Sequence, residues 1–361
     1  MAVQHSLLRG DMCHREPEFA ELLEAIRGGL PRALEVAASH EAVLLTGSGT
    51  AAAESAVVSA VRAGRGIVVV NNGVYGDRLA GIARAHGIPV HEVLQDWTRP
   101  VHPDQVARAL REHADADAVA CVHHETTTGL LNPVAEIGAL VRDTEACLVV
   151  DAISATGIER PSVAALHADI VCGTANKGLH GLPGMSFLLL SEKGRTRAAE
   201  APVRTVYLNA TRHLAAQRNG DVLFTPAVQI CYALDEALRE FTDRGGYPVR
   251  VAEYERRAAL VRDGFDRLGL DILVAPAHRA ASVTALALPD GLDYAPLHDA
   301  LRAEGYVIYP GQGPLSDRTL RVATMGELEL STLAAFVDVL GRSLARLRPA
   351  RRAGRNPSTR P

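Results

Sequence analysis

The amino-acid sequence predicts an α/β fold, with a mostly parallel central sheet sandwiched by helices and a small α+β domain at the C-terminus. Apolar, β-branched runs alternate with helical patterns through the first half of the chain, and these runs are apolar on both faces. Strands of that kind, separated by helices, are typical of a parallel sheet covered on each side. The 361 residues supply enough apolar material for one large and one smaller domain.

The large domain is predicted to contain short buried strands joined by amphipathic helices. The predicted strands are Ala42–Thr46, Gly66–Asn71, Ala118–His123, Cys147–Ile153, Asp169–Thr174 and Met185–Ser191. The predicted helices are Ala51–Ala63, Asp77–His86, Pro103–His113 and Val134–Thr144. Because open α/β sheets bind ligands at the carboxyl ends of their strands, residues that follow these strands are the candidates for function.

The pattern changes in the last third of the chain. Two long helices are predicted at Gln229–Asp243 and Tyr247–Leu268, and short elements follow at Ser282–Leu288, Tyr294–Glu304, Tyr306–Tyr309, Thr319–Ala323 and Glu327–Leu347. The sequence therefore predicts a large domain over residues 1–245 and a small domain over 246–347. The remaining residues, 348–361, are predicted to form a basic, disordered tail.

Composition limits the classes of partner. The formal net charge of -4 and the pI of about 6.4 give no reason to expect nucleic acid or an anionic membrane surface. The apolar runs are too short to span a bilayer and no secretory signal is visible, so a cytoplasmic protein is expected. The five cysteines form no Cys-x-x-Cys pair, which predicts reduced thiols and no metal site.

A glycine-rich turn follows the first predicted strand. Residues 46–50, Thr-Gly-Ser-Gly-Thr, open an Ala-rich helix, whose free N–H groups and positive dipole end would suit a phosphate. The alternative is a plain turn in which a hydroxyl caps the helix. A Walker loop is excluded because no Gly-Lys-Ser/Thr follows, and a dinucleotide site is disfavoured because the next strand ends in Asn71 and Asn72, without an acid.

Two ionisable residues follow later strands. Asp151 ends an apolar strand, where a buried carboxylate needs a cationic partner such as a pyridinium nitrogen; the alternative is a helix cap. Lys177 lies in a loop rich in small residues after the strand Asp169–Thr174. A partly desolvated amine there would lose its proton readily and act as a nucleophile, whereas the alternative is an ordinary surface lysine.

Two further strand ends carry groups that suit a flat ring. Tyr75 lies among small neighbours and could stack on an aromatic cofactor, although a packing role explains it equally well. The run His124–Gly129 contains three threonines, including Thr126, whose hydroxyls could bind a phenolic oxygen or a substrate. Local turn capping is the alternative for these hydroxyls.

Taken in chain order, these motifs resemble those of the class V aminotransferases, in the fold-type-I group of pyridoxal-phosphate enzymes. The matching stretches are MCHREPEF, TGSGTAAAES, NNGVYGDR, HHETTTGLLNP, VVDAIS, GTANKGLHGLPG, GYVIYPGQG and TLRVATMGEL. The resemblance spans residues 12 to 342 and is greatest to the branch that acts on 2-aminoethylphosphonate and pyruvate. It implies a fold-type-I transferase that binds pyridoxal 5'-phosphate and acts on small amines and keto acids.

The resemblance also implies roles for individual residues. Those that would bind the cofactor are Ser48, Gly49, Thr50, Tyr75, Thr126, Asp151, Ile153, Asn176, Lys177 and Thr225. Within this set, Lys177 would carry the cofactor as a Schiff base and Asp151 would bind the pyridine nitrogen, which makes these two the catalytic residues. Thr225 matches a position at which the neighbouring subunit reaches the phosphate, so a homodimer with a shared site is expected.

Substrate binding is assigned to basic residues. Arg321 matches the arginine that grips the carboxylate of the amino acid, a task that suits a guanidinium fork. Arg15, together with His14 and Arg204, is the candidate for a phosphonate or second anion. Relatives begin with a Gly/Pro-rich segment that lines the substrate pocket, and nothing before Met12 resembles it. We therefore expect either a chain shortened at its start or a pocket built differently.

The expected reaction is transfer of an amino group from 2-aminoethylphosphonate, or a related small amine, to pyruvate. Three alternatives stay open at this point. The first is an alanine- or serine–glyoxylate type of aminotransferase. The second is a desulfurase or lyase of the same fold, which would need a reactive cysteine late in the chain, and none follows Cys231. The third is a non-catalytic partner subunit.

Overall fold

The structure, a computed structural model, describes residues 2–347, so the predicted tail at 348–361 lies outside the described residues. The helices are α1 (Ala2–His5), α2 (Pro17–Ala33), α3 (Gly49–Ala60), α4 (Val74–Ala85), α5 (Pro103–Glu112), α6 (Val134–Arg142), α7 (Glu192–Glu200), α8 (Ala210–Arg218), α9 (Val228–Asp243), α10 (Gly246–Arg267), α11 (Tyr294–Ala303) and α12 (Leu330–Leu347). The strands are β1 (Glu41–Thr46), β2 (Gly66–Asn71), β3 (Val90–Leu94), β4 (Ala116–Val122), β5 (His124–Glu125), β6 (Leu130–Leu131), β7 (Cys147–Asp151), β8 (Ile170–Thr174), β9 (Met185–Leu190), β10 (Val283–Ala287), β11 (Tyr309–Pro310) and β12 (Thr319–Ala323).

A seven-stranded sheet in the order β1-β9-β8-β7-β4-β2-β3 forms the centre of the molecule. Strands β3, β2, β4, β7 and β8 run parallel, and only β9 is antiparallel to both of its neighbours. The prediction of a mostly parallel sheet between helices is confirmed. All predicted strands of the large domain are present, with ends that shift by one or two residues.

Each face of this sheet packs on its own hydrophobic core. Successive residues of β2 alternate between the two cores: Val68 and Val70 face the core formed with α2, α5, α6 and α9. Ile67 and Val69 face the core formed with α3, α4 and α8. Because both faces are buried, the strands read as continuous apolar runs, which is the pattern that predicted the fold.

A second, three-stranded antiparallel sheet, β10-β12-β11, lies in the C-terminal part of the chain. It packs with α10, α11 and α12 around a third core that includes Phe265, Leu286 and Leu340. This arrangement agrees with the predicted α+β character of the segment, while the boundary at residues 245/246 stays a prediction. Among residues 2–347, no helix combines the length and the apolar character needed to cross a lipid bilayer.

Strand β3 and the segment that precedes β11 differ from the sequence expectation. Edge strand β3 was not predicted, because the sequence Val-His-Glu-Val-Leu buries only Val93. The strand predicted at Tyr306–Tyr309 is wrong over its first three residues. Tyr306 donates its backbone N–H to the carbonyl of Leu301 at 3.0 Å, so this stretch closes the end of α11 instead of joining the sheet.

Candidate active site

A cavity of about 540 Å³ lies at the carboxyl edge of the central sheet, between the turn after β1 and the loops after β7 and β8. The structure brings most of the predicted cofactor-binding residues together there. Those that line the cavity are Ser48, Gly49, Thr50, Tyr75, Ile153, Asn176 and Lys177. This convergence of strand ends is what the topology of an open α/β sheet predicts.

The turn after β1 presents the N-terminus of α3 to the cavity. Ser48 occupies the N-cap position, yet its side chain makes no capping hydrogen bond, so the first N–H groups of the helix keep their donor capacity. A Cβ atom at Gly49 would lie 2.9 Å from Cδ1 of Ile153, which explains the need for glycine. Arg78 donates to the hydroxyl of Thr50 at 3.4 Å and adds a positive charge. The turn is therefore suited to a phosphate group.

Asp151 ends β7 beneath the cavity and is only 4% exposed. One of its carboxylate oxygens, Oδ1, accepts a hydrogen bond from the backbone N–H of Ile153 at 3.0 Å. Among the described residues no basic side chain forms a direct ion pair with it. Burial raises the pKa of Asp151 to about 6, and the Ile153 N–H and the charges of Arg78 and Lys177 offset part of that rise. A buried acid in this state favours a cationic ligand.

Lys177 lies just after β8 in a loop that is tied to the strand β9. The backbone N–H of Ala175 bonds to the carbonyl of Met185, and the N–H of His180 bonds to the carbonyl of Lys177. The lysine is half-buried, and Nζ makes no hydrogen bond or ion pair within the described part of the chain. The protein has only one other lysine, Lys193, which is bonded to the carbonyl of Thr144. The position of Lys177 thus favours a chemical role over that of a surface lysine.

Two residues of this site were missed in the sequence. Arg78 follows Tyr75 by one helical turn, and its guanidinium carbon lies 4.6 Å from the centre of the tyrosine ring. Glu125 is fully buried and accepts hydrogen bonds from the backbone N–H groups of Tyr75 and Gly76 at 3.2 and 3.3 Å, which fixes the start of α4. Burial raises the pKa of Glu125 to about 7, and hydrogen bonds from Thr127 offset part of this rise. The i, i+3 spacing of Tyr75 and Arg78 was the available signal.

Thr126 and Arg321 meet at the junction of the two sheets. Thr126 is buried and its carbonyl oxygen accepts a hydrogen bond from Nη1 of Arg321 at 3.1 Å. The same guanidinium donates to the carbonyl of Pro310 and to Oε1 of Gln312, each at 3.1 Å. Arg321 is half-buried, and its Nη2 makes no hydrogen bond among residues 2–347. A fixed guanidinium with one free edge can bind an anion.

Asp151, Thr126 and Arg321 are not among the residues that line the cavity, and the remaining predicted residues lie outside the lining as well. Thr225 is exposed in the single chain, although Ala227, two residues later, lines the cavity. Arg15 is exposed and His14 packs edge-on against Phe19 before the body of α2. Their proposed roles stay predictions.

Arg204 lies away from the cavity, at a place that the sequence did not predict. Its guanidinium donates to the carbonyls of Val58, Val61 and Arg62, at the C-terminal end of α3. That end is opposite to the one that faces the cavity. Arg204 therefore binds backbone, and its assignment to a substrate anion is wrong.

Comparisons with a family model and with known proteins point to the aminotransferases. The family model described as Aminotransferase class-V matches residues 4–314. The 2-aminoethylphosphonate–pyruvate transaminase of Syntrophobacter fumaroxidans is 31% identical over 90% of this chain and 88% of its own length. The enzyme of the same name from Burkholderia pseudomallei is 33% identical over 91% of this chain and 89% of its own.

Solved structures resemble the whole chain. The aspartate aminotransferase of subgroup IV from Thermus thermophilus is 26% identical, with a TM-score of 0.87 and coverage of 96% of both chains. The alanine–glyoxylate aminotransferase of Nostoc sp. has a TM-score of 0.89 over 95% of this chain and 92% of its own. At 24% identity, the second likeness supports the fold alone.

Proposed function

This chain belongs to the class-V aminotransferases, and from that premise we propose that it transfers the amino group of 2-aminoethylphosphonate to pyruvate, giving phosphonoacetaldehyde and alanine. The chain is an aminotransferase, and the family depends on pyridoxal 5'-phosphate. The observation that carries the proposal is one cavity lined by a free helix N-terminus and an unpaired lysine amine. A buried acid without an ion-pair partner, Asp151, lies two residues before Ile153 of the lining.

The residues of this cavity fit pyridoxal 5'-phosphate. Its phosphate would be held at the start of α3 by Ser48, Gly49 and Thr50, where a dianion meets free N–H groups and the Arg78 charge. The raised pKa of Asp151 is the state expected of an acid that lacks its cationic partner, and a pyridinium nitrogen supplies one. When bound, the cofactor supplies an electrophilic carbon and an electron-accepting ring.

Residues of this chain would perform the remaining work. The Nζ of Lys177 would hold the cofactor covalently and, once released, move a proton as a general base. Asp151 would keep a proton on the ring nitrogen, because a buried carboxylate stabilises the adjacent positive charge. Tyr75 and Ile153 would confine the ring, and Glu125 would hold Tyr75 in place through the backbone of α4.

Substrate choice would depend on Arg321. The donor carries a phosphonate and no α-carboxylate, whereas pyruvate carries a carboxylate, so one group must accept either anion. Because Nε and Nη1 of Arg321 are bonded within the chain, its Nη2 is the group that would donate to oxygens of either anion. Support comes from the names of relatives that are 31% and 33% identical.

The thiols give no support to a desulfurase. Cys121, Cys147, Cys172 and Cys231 are buried, and burial raises the pKa of each; for Cys231 it rises to about 12. A thiol in that state is a poor nucleophile at neutral pH. Cys13, the exposed one, does not line the cavity.

A half-reaction tests the proposed substrate. The cofactor-loaded enzyme is mixed separately with 2-aminoethylphosphonate, alanine, serine and taurine, and conversion of the cofactor to its amine form is followed by absorbance. Fastest conversion by 2-aminoethylphosphonate is expected. Preference for an ordinary α-amino acid, with no response to the phosphonate, would reject this substrate and favour the alanine- or serine–glyoxylate type.

A further inference from the structure

A second cluster of functional side chains lies at the amino edge of the central sheet, opposite the candidate active site. His91 belongs to β3, His113 follows the last residue of α5, and Asp115 directly precedes β4. Nε2 of His91 lies 3.0 Å from Oδ2 of Asp115. The two imidazole rings stack with their centres 3.7 Å apart. One ligand atom from each of the three residues lies within 4.8 Å of the other two.

His91 lies in strand β3, and backbone hydrogen bonds tie the turn that carries His113 and Asp115 to α5 and to β2. His91 pairs with Val68 in the parallel register of β2 and β3. The backbone N–H of His113 bonds to the carbonyl of Ala109 at the end of α5, and the carbonyl of Asp115 accepts the N–H of Gly66 at 3.0 Å. Side chains on such elements are held in place more firmly than side chains on free loops.

The first residue of β2 leaves room for the cluster. A Cβ atom at Gly66 would lie 2.7 Å from Oδ2 of Asp115 and 3.0 Å from Nε2 of His91. Any other residue at this position would push the two ligand atoms apart. The absence of a side chain at Gly66 is thus a separate observation in favour of a site that the fold accommodates.

The charges and exposure of the cluster suit a cation. The side chain of Asp115 is 43% exposed and that of His91 is 20% exposed, so an ion and its water ligands can enter. The guanidinium of Arg65 is engaged elsewhere: it donates to the carbonyl of Ala114, and its Nε lies 3.7 Å from Oδ1 of Asp117.

We propose that His91, His113 and Asp115 bind a divalent transition-metal ion, with zinc as the expected metal. Two imidazoles and one carboxylate are zinc ligands, and water completes the tetrahedron. Calcium and magnesium prefer sites with more oxygen ligands. Because zinc–ligand bonds are about 2.0–2.2 Å long and the imidazole lone pairs lie in the ring planes, the two stacked rings must tilt toward a common point when the ion enters.

The bound ion would join edge strand β3 to the end of α5 and the start of β4. An ion that binds only the folded chain stabilises it in proportion to the logarithm of its concentration. None of the residues that line the candidate active site contributes a ligand, so aminotransferase turnover should be the same with and without the metal. No metal site was predicted from the sequence, because the three residues form no short motif and come together only in the folded chain.

Zinc binding to the cofactor-loaded enzyme tests the proposal. The enzyme is treated with EDTA, dialysed and titrated with zinc in a calorimeter. One ion per chain is expected, and His113→Ala and Asp115→Asn should each weaken its binding by about tenfold or more, because each removes a ligand. The matched control is His298→Ala, since His298 also lies beside a carboxylate, that of Asp299 at 3.1 Å, but has no third ligand.

Cobalt provides a second readout. Co²⁺ in the same site should give the visible absorption of a tetrahedral complex, and that band should be lost in His113→Ala and kept in His298→Ala. Zinc should raise the melting temperature of the wild type and of His298→Ala only. Zinc affinity unchanged in both ligand variants, or no zinc binding by the wild type, would overturn the proposal.

Discussion

Two buried carboxylates at opposite edges of the central sheet have opposite environments. Asp117, near the amino end of β4, is 2% exposed and bonds to Arg62 at 2.6 and 2.9 Å and to Arg197 at 3.0 Å. Burial alone would raise its pKa, but the hydrogen bonds and charges of the arginines lower it below the usual range. Asp151, at the carboxyl end of β7, is 4% exposed and has a pKa raised to about 6.

The difference separates an acid that holds the fold from an acid that is available to a ligand. Asp117 has its cations supplied by the chain itself, so its charge is satisfied during folding. Asp151 has one backbone N–H and no cation in direct contact among residues 2–347, so its burial costs stability until a positive group arrives. Perturbed acids of this second kind are concentrated at functional sites.

The largest effect is expected at the carboxyl edge, from Lys177→Ala. Loss of the amine removes both the covalent anchor and the proton carrier, so turnover should fall by roughly 10⁴-fold or more. Borohydride reduction should attach the cofactor to Lys177, as peptide mapping can show. The control is Lys193→Ala, because Lys193 is the only other lysine and lies outside the cavity. A label on Lys193, or turnover by the Lys177 variant, would contradict the assignment.

At the amino edge, Asp117→Asn should act on stability instead. The change leaves Arg197, which is 5% exposed, without its carboxylate, and should lower the free energy of unfolding by about 3–5 kcal/mol. Denaturant unfolding measures this loss. The half-reaction rate of the molecules that remain folded should equal that of the wild type. A slower reaction would contradict a purely structural role for Asp117.

Asp151→Asn should give the reverse result, with a slow half-reaction and a more stable cofactor-free protein. Because the folded pKa of Asp151 lies above its unfolded value of 3.8, its stability contribution is present below pH 3.8 and is lost as the pH rises through about 6. The variant avoids this loss. Its free energy of unfolding should therefore exceed that of the wild type by an amount that grows between pH 4 and pH 8 to about 3 kcal/mol. Unfolding of both cofactor-free proteins across this range checks the sign. A constant difference would mean that Asp151 does not titrate as described.

The smallest effect is expected from Arg321→Lys, at the junction of the two sheets. A lysine keeps the charge but cannot bond at once to Pro310, Thr126 and an anion. The loss of transition-state binding, calculated from the ratio of the kcat/KM values, should be about 1–2 kcal/mol. Arg321→Ala should cost about 2–4 kcal/mol. Steady-state kinetics with both substrates measures these losses. Equal rates for the wild type and the alanine variant would exclude Arg321 from substrate binding.

The sequence predicted the sheet and the strand-end residues because both depend on local patterns. Strands buried on both faces are recognisable as continuous apolar runs. The topology of the sheet then brings Ser48, Asp151 and Lys177 to its carboxyl edge. Contacts made through backbone groups leave no such pattern. The bond from Arg321 to the carbonyl of Thr126 joins residues 195 positions apart, and Glu125 acts on backbone N–H groups of α4. The proposed metal cluster also leaves no pattern in the sequence, because its three side chains meet only in the folded chain. The glycine at position 66 is informative only when its neighbours in space are known.

The contact between Arg321 and Thr126 has a consequence for how this enzyme could change its substrate. Every residue proposed for the chemistry precedes residue 180, whereas the proposed anion-binding arginine comes from β12 and bonds to that part of the chain through one backbone carbonyl, that of Thr126. A carbonyl is present whatever side chain occupies position 126, so drift in the cofactor site does not disturb this attachment. Selectivity can therefore evolve, or be engineered, by exchange of the segment around β11 and β12 while the reaction itself is preserved.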